Sequence, residues 1–273
     1  MKFPGTYKSK SWEPASNLIY ASQSANYIHR YFSQRYSIFS WYDQGICMTD
    51  DAWFGVTPEP VAKYGWLNSS LSERGADISR PIFSQVAKDM YDSDAKKTVL
   101  IDMFAGAGGN TIAFALSGRW SQIIAVEKDA STLACAQNNA DVYGVERPCI
   151  TWVHGDSLEF LDILVNRPEE LHPDLRVDLA TTVVFASPPW GGVGYSSDQV
   201  FDLYTMQPYD LRQLHNACYP MDHALYLPRS SDIRQIAKLA PEGEKIEVVQ
   251  YCMEGASKAM VAYIPAKNIP EKS

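Results

Sequence analysis

The sequence predicts an α/β fold, a doubly wound and mainly parallel sheet finished by a closing antiparallel strand, preceded by a small helical and aromatic extension. Three features point to it. Apolar, β-branched runs alternate with helix-period segments from about residue 80 onward, a glycine-rich turn directly follows one of those runs, and an acidic residue ends or follows three of them. With 273 residues the chain has room for one large domain or two small ones. The expected division is an extension over residues 1–75 and a sheet domain over residues 76–273.

The elements follow in order. Tyr27, Tyr31, Phe32, Tyr36, Phe39, Trp41 and Tyr42 crowd into sixteen residues, and their spacing predicts an amphipathic helix docked on the main domain. Arg30 and Arg35, interleaved with these rings, also suit a surface that touches phosphates and bases. Residues 82–91 read as a helix. Residues 98–102 (TVLID) form a strand that runs into the glycine loop 104–109 and a helix over 110–117. A second strand over 122–127 leads to a helix over 130–142, and a third strand spans 149–154. Residues 181–186 and 223–227 are the fourth and fifth strands, and 245–252 with 259–264 close the sheet. Such a sheet binds ligands at the carboxyl ends of its strands.

Composition narrows the function classes. Hydrophobic residues make up 46% and charged residues 21%, enough apolar material for a sizeable core. No run approaches the ~18 apolar residues of a membrane span, and the first twelve residues hold no apolar signal core. Five cysteines (Cys47, Cys135, Cys149, Cys218, Cys252) stand far apart, a spacing that fits reduced, buried thiols rather than a metal site or disulfide framework. The net charge of −8 speaks against broad contact with nucleic acid. The charge is uneven, however. Residues 1–50 carry five basic and three acidic side chains, and residues 99–273 carry 13 and 22.

Two motifs carry chemistry. In Gly106-Ala107-Gly108-Gly109, glycines between a strand and a helix let the backbone approach a ligand with free N–H groups. The dinucleotide pattern G-x-G-x-x-G fails, because Thr111 stands at the third glycine position. Glu127, about twenty residues on at the end of the second strand, suits the two hydroxyls of an adenosine ribose. Asp102 and Asp156 also have a plainer reading as caps of a turn or helix. The second motif is Ser187-Pro188-Pro189-Trp190, after the fourth strand. Two prolines stiffen the turn and leave carbonyls exposed as acceptors. The Ser187 hydroxyl and Pro188 carbonyl suit the two hydrogens of an exocyclic amine, with Trp190 stacked on its base.

The compact glycine loop resembles that of class I S-adenosyl-L-methionine-dependent methyltransferases, which have a Rossmann-like sheet. The Ser-Pro-Pro-Trp turn resembles the signature of those that methylate planar amines. More specifically, residues 30–43 (RYFSQRYSIFSWYD), 53–59 (WFGVTPE), 102–115 (DMFAGAGGNTIAFA), 138–144 (NNADVYG), 187–192 (SPPWGG) with Tyr195, and 227–229 (LPR) resemble the trimethylguanosine synthase family of cap-specific guanosine-N2 methyltransferases. The likeness runs from about residue 27 to about 265.

That resemblance implies conversion of 7-methylguanosine caps of small nuclear and nucleolar RNAs to 2,2,7-trimethylguanosine, in two transfers that each release S-adenosyl-L-homocysteine. It implies Ser187 and Pro188 at the N2 amine and Trp190 on the 7-methylguanine, with Gly55 and Tyr195 beside it. Arg30 and Arg229 would take the cap phosphates. Phe39 and Thr57, from the extension, would close over the cofactor. Asp102 with Gly106 would hold its methionine end, Glu127 its ribose and Asp156 its adenine, and Asn110 and Ser187 would also contact the cofactor. Gly55, Ala105, Val193 and Ser230 depart from the family's common Ser, Cys, Pro and Asn, which bears on fine cap geometry. The resemblance further implies a monomer without metal or membrane, located in the nucleus or nucleolus and also the cytoplasm, and served by small ribonucleoprotein partners. Two rivals stand beside it: another amino-group N-methyltransferase acting on guanine or adenine in rRNA, tRNA or DNA, and a non-catalytic cap-binding module.

Overall fold

Seven strands form one sheet in the order β3-β2-β1-β4-β5-β7-β6. They are β1 (Val99–Asp102), β2 (Gln122–Glu127), β3 (Ile150–His154), β4 (Thr182–Ala186), β5 (Asp222–Pro228), β6 (Glu247–Met253) and β7 (Ala256–Ile264). The first five run parallel, and β7 enters antiparallel between β5 and β6. The computed structural model describes residues 31–59, 97–145, 149–191, 200–241, 243, 245–253 and 256–266. The expected helix over 82–91 and the boundary at residues 75 and 76 lie outside these.

Strand side chains alternate between faces, and the two apolar clusters obey that period. Ile101, Ile124, Val126, Val184, Ala186, Leu225 and Leu227 point to one face, where α5 (Ser157–Asn166) and α6 (Leu211–Cys218) add Phe160, Leu161, Leu164, Leu211 and Leu214. Leu100, Ile123, Val183, Phe185, Ala224 and Tyr226 point to the other, covered by Phe114 of α3 (Gly109–Leu116). Both faces are dry, which is why the parallel strands read as continuous apolar runs. The helices α5 and α6 come in addition to those expected from the sequence.

A third cluster joins the extension to the domain. Ile38, Phe39, Ile46 and Trp53 pack with Ile112 of α3 and with Ala140 and Tyr143, at the end of α4 (Ala130–Val142). The expected single helix over 27–39 is corrected for its described part. Residues 31–32 are helical, a turn interrupts at 33–34, and a separate short helix, α1 (Arg35–Ile38), follows. Its aromatics meet rings both within the extension and on the domain: Tyr31 meets Phe54, Phe32 meets both Tyr42 and Trp53, and Trp41 stacks on Tyr143. The Arg35 guanidinium lies 4.4 Å from the ring centres of both Phe32 and Tyr36, a cation–π contact made by a half-exposed side chain.

The thiols also need correcting. Cys218 is buried, but Cys47, Cys135 and Cys149 are half-buried free thiols: Cys135 lies on α4, Cys149 just before the edge strand β3, and Cys47 in the extension laid on the outside of α4. Among the described residues no helix is long and apolar enough to cross a membrane, and no His/Cys/Asp/Glu group is arranged to hold a metal.

Candidate active site

The strand order reverses between β1 and β4, and the chain leaving β1 is pulled apart there. Met103 N–H bonds to Phe185 on the β4 side at 3.0 Å, and Ala105 N–H bonds to Val126 on the β2 side at 3.0 Å. A crevice at such a switch point is where a doubly wound sheet takes its ligand. The glycine loop turns over it. Gly108 has φ of +92°, and a Cβ there would sit 3.3 Å from the Ala136 backbone on α4, so the loop rests directly on that helix.

Four expected cofactor residues converge on this crevice. Asp102, fully buried at the end of β1, accepts from the Thr111 hydroxyl at 2.7 Å and from Phe104 N–H at 3.3 Å. Desolvation pushes its carboxyl up to about 6 despite those bonds, with the nearby Glu127 charge adding to the rise. Glu127 ends β2 and accepts from Gly106 N–H at 2.9 Å and from Asp129 N–H at 2.8 Å. Asn110 lies in the first turn of α3, 7% exposed, and its Oδ1 has no hydrogen-bond partner. A buried amide oxygen left open is expensive unless a ligand donor reaches it. An ammonium group such as the methionine end of S-adenosylmethionine fits that oxygen and the neighbouring buried carboxyl.

Asp156 behaves partly as the plainer reading had it. One carboxylate oxygen caps α5, accepting from Leu158 and Glu159 N–H at 3.0 and 3.3 Å. The other accepts from Lys128 at 3.1 Å and from the Tyr209 hydroxyl. Burial works against its charge, but these donors win and hold the carboxyl below its ordinary value. Burial, with Asp156 beside it, pushes the Tyr209 hydroxyl up to about 12, so it remains a donor.

The extension reaches the loop through Thr57 and Phe39, both nearly fully buried. The Thr57 carbonyl lies 3.4 Å from where a Cβ of Gly109 would stand. Phe39, Thr57, Glu59, Gly109, Ile112 and Tyr143 line a shallow crevice between extension and α3. Glu59 fastens it, accepting from Ser40 N–H, from the Ser40 hydroxyl at 2.8 Å and from the Tyr143 hydroxyl.

On the β4 side, Pro188 is buried while Ser187 and Trp190 are half-exposed. The Trp190 indole stacks on Tyr226 of β5, centres 5.6 Å apart, and its N–H donates to the Tyr226 carbonyl at 3.3 Å. Arg229 is exposed just beyond β5, on the same carboxyl edge of the sheet. Gly55, exposed at the end of α2 (Ala52–Gly55), has nothing within 4 Å of where a Cβ would lie. Arg30 and Tyr195 lie outside the described residues.

Sequence reasoning did not assign Tyr209, Lys128, Tyr226, Asn139 or the Glu59–Tyr143 pair. Glu59 and Tyr143 do fall in the WFGVTPE and NNADVYG stretches, but 84 residues separate them, and no local pattern announces the pairing.

A family model described as RNA cap guanine-N2 methyltransferase matches residues 97–267, more than half of the chain. The trimethylguanosine synthase of Schizosaccharomyces pombe is 30% identical over 243 residues, covering 88% of this chain and 87% of that protein. The trimethylguanosine synthase of Saccharomyces cerevisiae is 27% identical over 236 residues, covering 85% of this chain and 62% of that one. Among solved structures, one from Porphyromonas gingivalis W83 assigned as a methyltransferase superposes with a TM-score of 0.56 at 14% identity. It covers 93% of this chain, which spans about half of that structure's length, 54%, and it supports the fold alone.

Proposed function

The chain belongs to the RNA cap guanine-N2 methyltransferase family, and from that premise we propose that it converts 7-methylguanosine caps to 2,2,7-trimethylguanosine by two S-adenosylmethionine-dependent transfers. One observation carries the reading. The glycine loop with Asp102 and Asn110, the acid Glu127, and the Ser187–Trp190 turn stand at the carboxyl ends of the adjacent strands β2, β1 and β4. A methyl donor and an amine acceptor held there face each other across one crevice.

S-adenosylmethionine supplies an electrophilic methyl group on a sulfonium. The chain's own residues do the rest. Asp102 and the open Asn110 oxygen would hold the methionine ammonium, Glu127 the ribose hydroxyls, and Asp156 the adenine edge. Phe39 and Thr57, sealed against α3, exclude water from the loop. The Ser187 hydroxyl and Pro188 carbonyl would accept the two N2 hydrogens, aiming the nitrogen lone pair into the crevice. Trp190, fixed by Tyr226, would stack on a 7-methylguanine ring whose positive charge suits an indole face. That cationic ring sheds its N2 proton readily, so water or a carboxylate suffices as the base.

Arg229, with Arg30, would take cap phosphates through forked hydrogen bonds. A chain of net charge −8 has little to offer the RNA body, so recognition concentrates on the cap. Small nuclear and nucleolar RNAs as substrates, a monomeric state, ribonucleoprotein delivery and a nuclear workplace complete the proposal. Their support is the family resemblance, and imaging a tagged full-length chain tests the location.

The deciding experiment compares methyl transfer to 7-methyl-GTP and to GTP. Turnover of 7-methyl-GTP alone is expected. Turnover of GTP would move the chain to the other amino-group methyltransferases, and absence of cofactor binding would make it a cap-binding module.

A further inference from the structure

Asn139 is fully buried on α4, and its side chain touches two segments far apart in sequence. Its Nδ2 donates to the Ala107 carbonyl of the glycine loop at 2.9 Å and to the Cys47 carbonyl of the extension at 2.8 Å. Its Oδ1 accepts from Cys47 N–H at 2.7 Å. One amide thus reads both polar groups of Cys47 while holding the loop. Around it, residues 45–49 run along α4 as a strap. Asn138 donates to the Gly45 carbonyl at 2.8 Å, and the Thr49 and Thr132 hydroxyls meet at 2.9 Å.

We propose that Asn139 is a positioning residue that couples docking of the 45–49 strap to the conformation of the glycine loop, and so to cofactor affinity. The inference rests on the reading of that loop as the S-adenosylmethionine site. Ala107 belongs to the turn whose next amide, Gly108 N–H, closes back on the Ala105 carbonyl at 2.9 Å. Holding the Ala107 carbonyl inward fixes the peptide plane that joins it to Gly108, and hence which loop N–H groups face the ligand. Asn138 Nδ2 also donates to the Asn139 Oδ1, at 3.3 Å. When the strap leaves, Asn139 loses the two shortest of these four bonds in a buried place, and the amide that grips the loop is held less tightly. Coupling of this kind is reciprocal: whatever ligand stabilises the loop also tightens the strap.

A double-mutant cycle tests it, with S-adenosylhomocysteine affinity measured calorimetrically for wild type, Thr49→Val, Asn139→Ser and the pair. Thr49→Val touches the strap and not the loop. It is expected to weaken binding about 10-fold in the wild-type background and less than about 2-fold beside Asn139→Ser, within the usual range of coupling between sites. At saturating cofactor, the kcat of each single variant is expected to stay near wild type, because the amine-binding turn is untouched. Losses that multiply independently, or a Thr49→Val chain with unchanged affinity, overturn the proposal. If Asn139→Ser fails to fold, hydrogen exchange on the wild type decides. Added S-adenosylhomocysteine must slow exchange of the Cys47 amide, and unchanged exchange overturns the coupling. A wild type that binds no S-adenosylhomocysteine refutes the cofactor reading instead.

Discussion

Trp190 stands on Tyr226, with their ring planes 29° apart and the indole N–H tied to the carbonyl of the same tyrosine. One aromatic face is committed to the protein and the ring cannot spin, so its orientation toward a substrate base is set before binding. Trp190→Ala removes a base stack worth about 1–3 kcal/mol, which predicts a 7-methyl-GTP KM raised about 5- to 150-fold. S-adenosylhomocysteine affinity is expected to stay close to wild type. Tyr226→Leu, which leaves the indole but takes away its platform, should give a smaller rise in the same constant. Steady-state kinetics with calorimetry checks both, and normal cap turnover by Trp190→Ala would refute the stacking role.

Asp102 makes cofactor binding pH-dependent. Its folded carboxyl titrates near 6, above the ordinary 3.8, because burial opposes its charge. As pH falls through 6 the carboxylate that would face the methionine ammonium is neutralised, so affinity for S-adenosylmethionine should drop. Stability of the free chain moves the other way. A carboxyl raised on folding binds its proton more tightly in the folded state, which gains about 2 kcal/mol between pH 6 and pH 4. Asp102→Asn should abolish both steps. Binding titrations and urea melts across that range read them separately.

The opposite slope belongs to His223. Buried on β5, it donates to or accepts from His215 at 3.1 Å and lies 2.9 Å from the Met221 carbonyl. Desolvation lowers it to about 4 from 6.5, helped by the neighbouring His215, while the Met221 bond and Asp222 resist. Its contribution to stability is therefore present above pH 6.5 and lost as pH falls from there toward 4, at no more than about 1.4 kcal/mol per pH unit. Because Asp102 offsets it below pH 6, the test is a difference. The gap between wild type and His223→Gln should shrink as pH falls from 7 to 4.5, and a constant gap would contradict it.

Tyr143→Phe deletes a single hydroxyl, the one held by Glu59. The expected cost is about 1–2 kcal/mol in a urea melt, since the acceptor carries charge but is only half-buried. Cofactor KM should rise with it, because the same carboxylate holds Ser40, next in the chain to Phe39, and lines the crevice with Phe39 and Thr57. Unchanged stability and KM would mean that the extension is held without this pair.

Much of the fold was written locally. The runs TVLID and QIIAVE are apolar and β-branched because both faces of a parallel strand are buried, and that local demand set β1 and β2 to within a residue. The glycine loop was equally visible, since Gly106 and Gly108 take positive φ and a Cβ at Gly108 would press on the α4 backbone at 3.3 Å. The helix over 27–39 misled because five aromatics in it match a helical period, although its described part breaks at 33–34 and its rings meet Tyr42, Trp53 and Tyr143 instead of lining one helix face.

What the residue order could set was the set of strands, the loop and the acids at the strand ends, for each answers to its immediate neighbours. Which atoms those groups meet belongs to the tertiary structure. Asn139 bonds to Ala107 and Cys47 across 32 and 92 residues, and Trp190 bonds to Tyr226 across 36. Only packing of the extension, the loop and the sheet around α4 brings such groups together, because a hydrogen bond is decided by distance and direction in space, to which separation along the chain is indifferent.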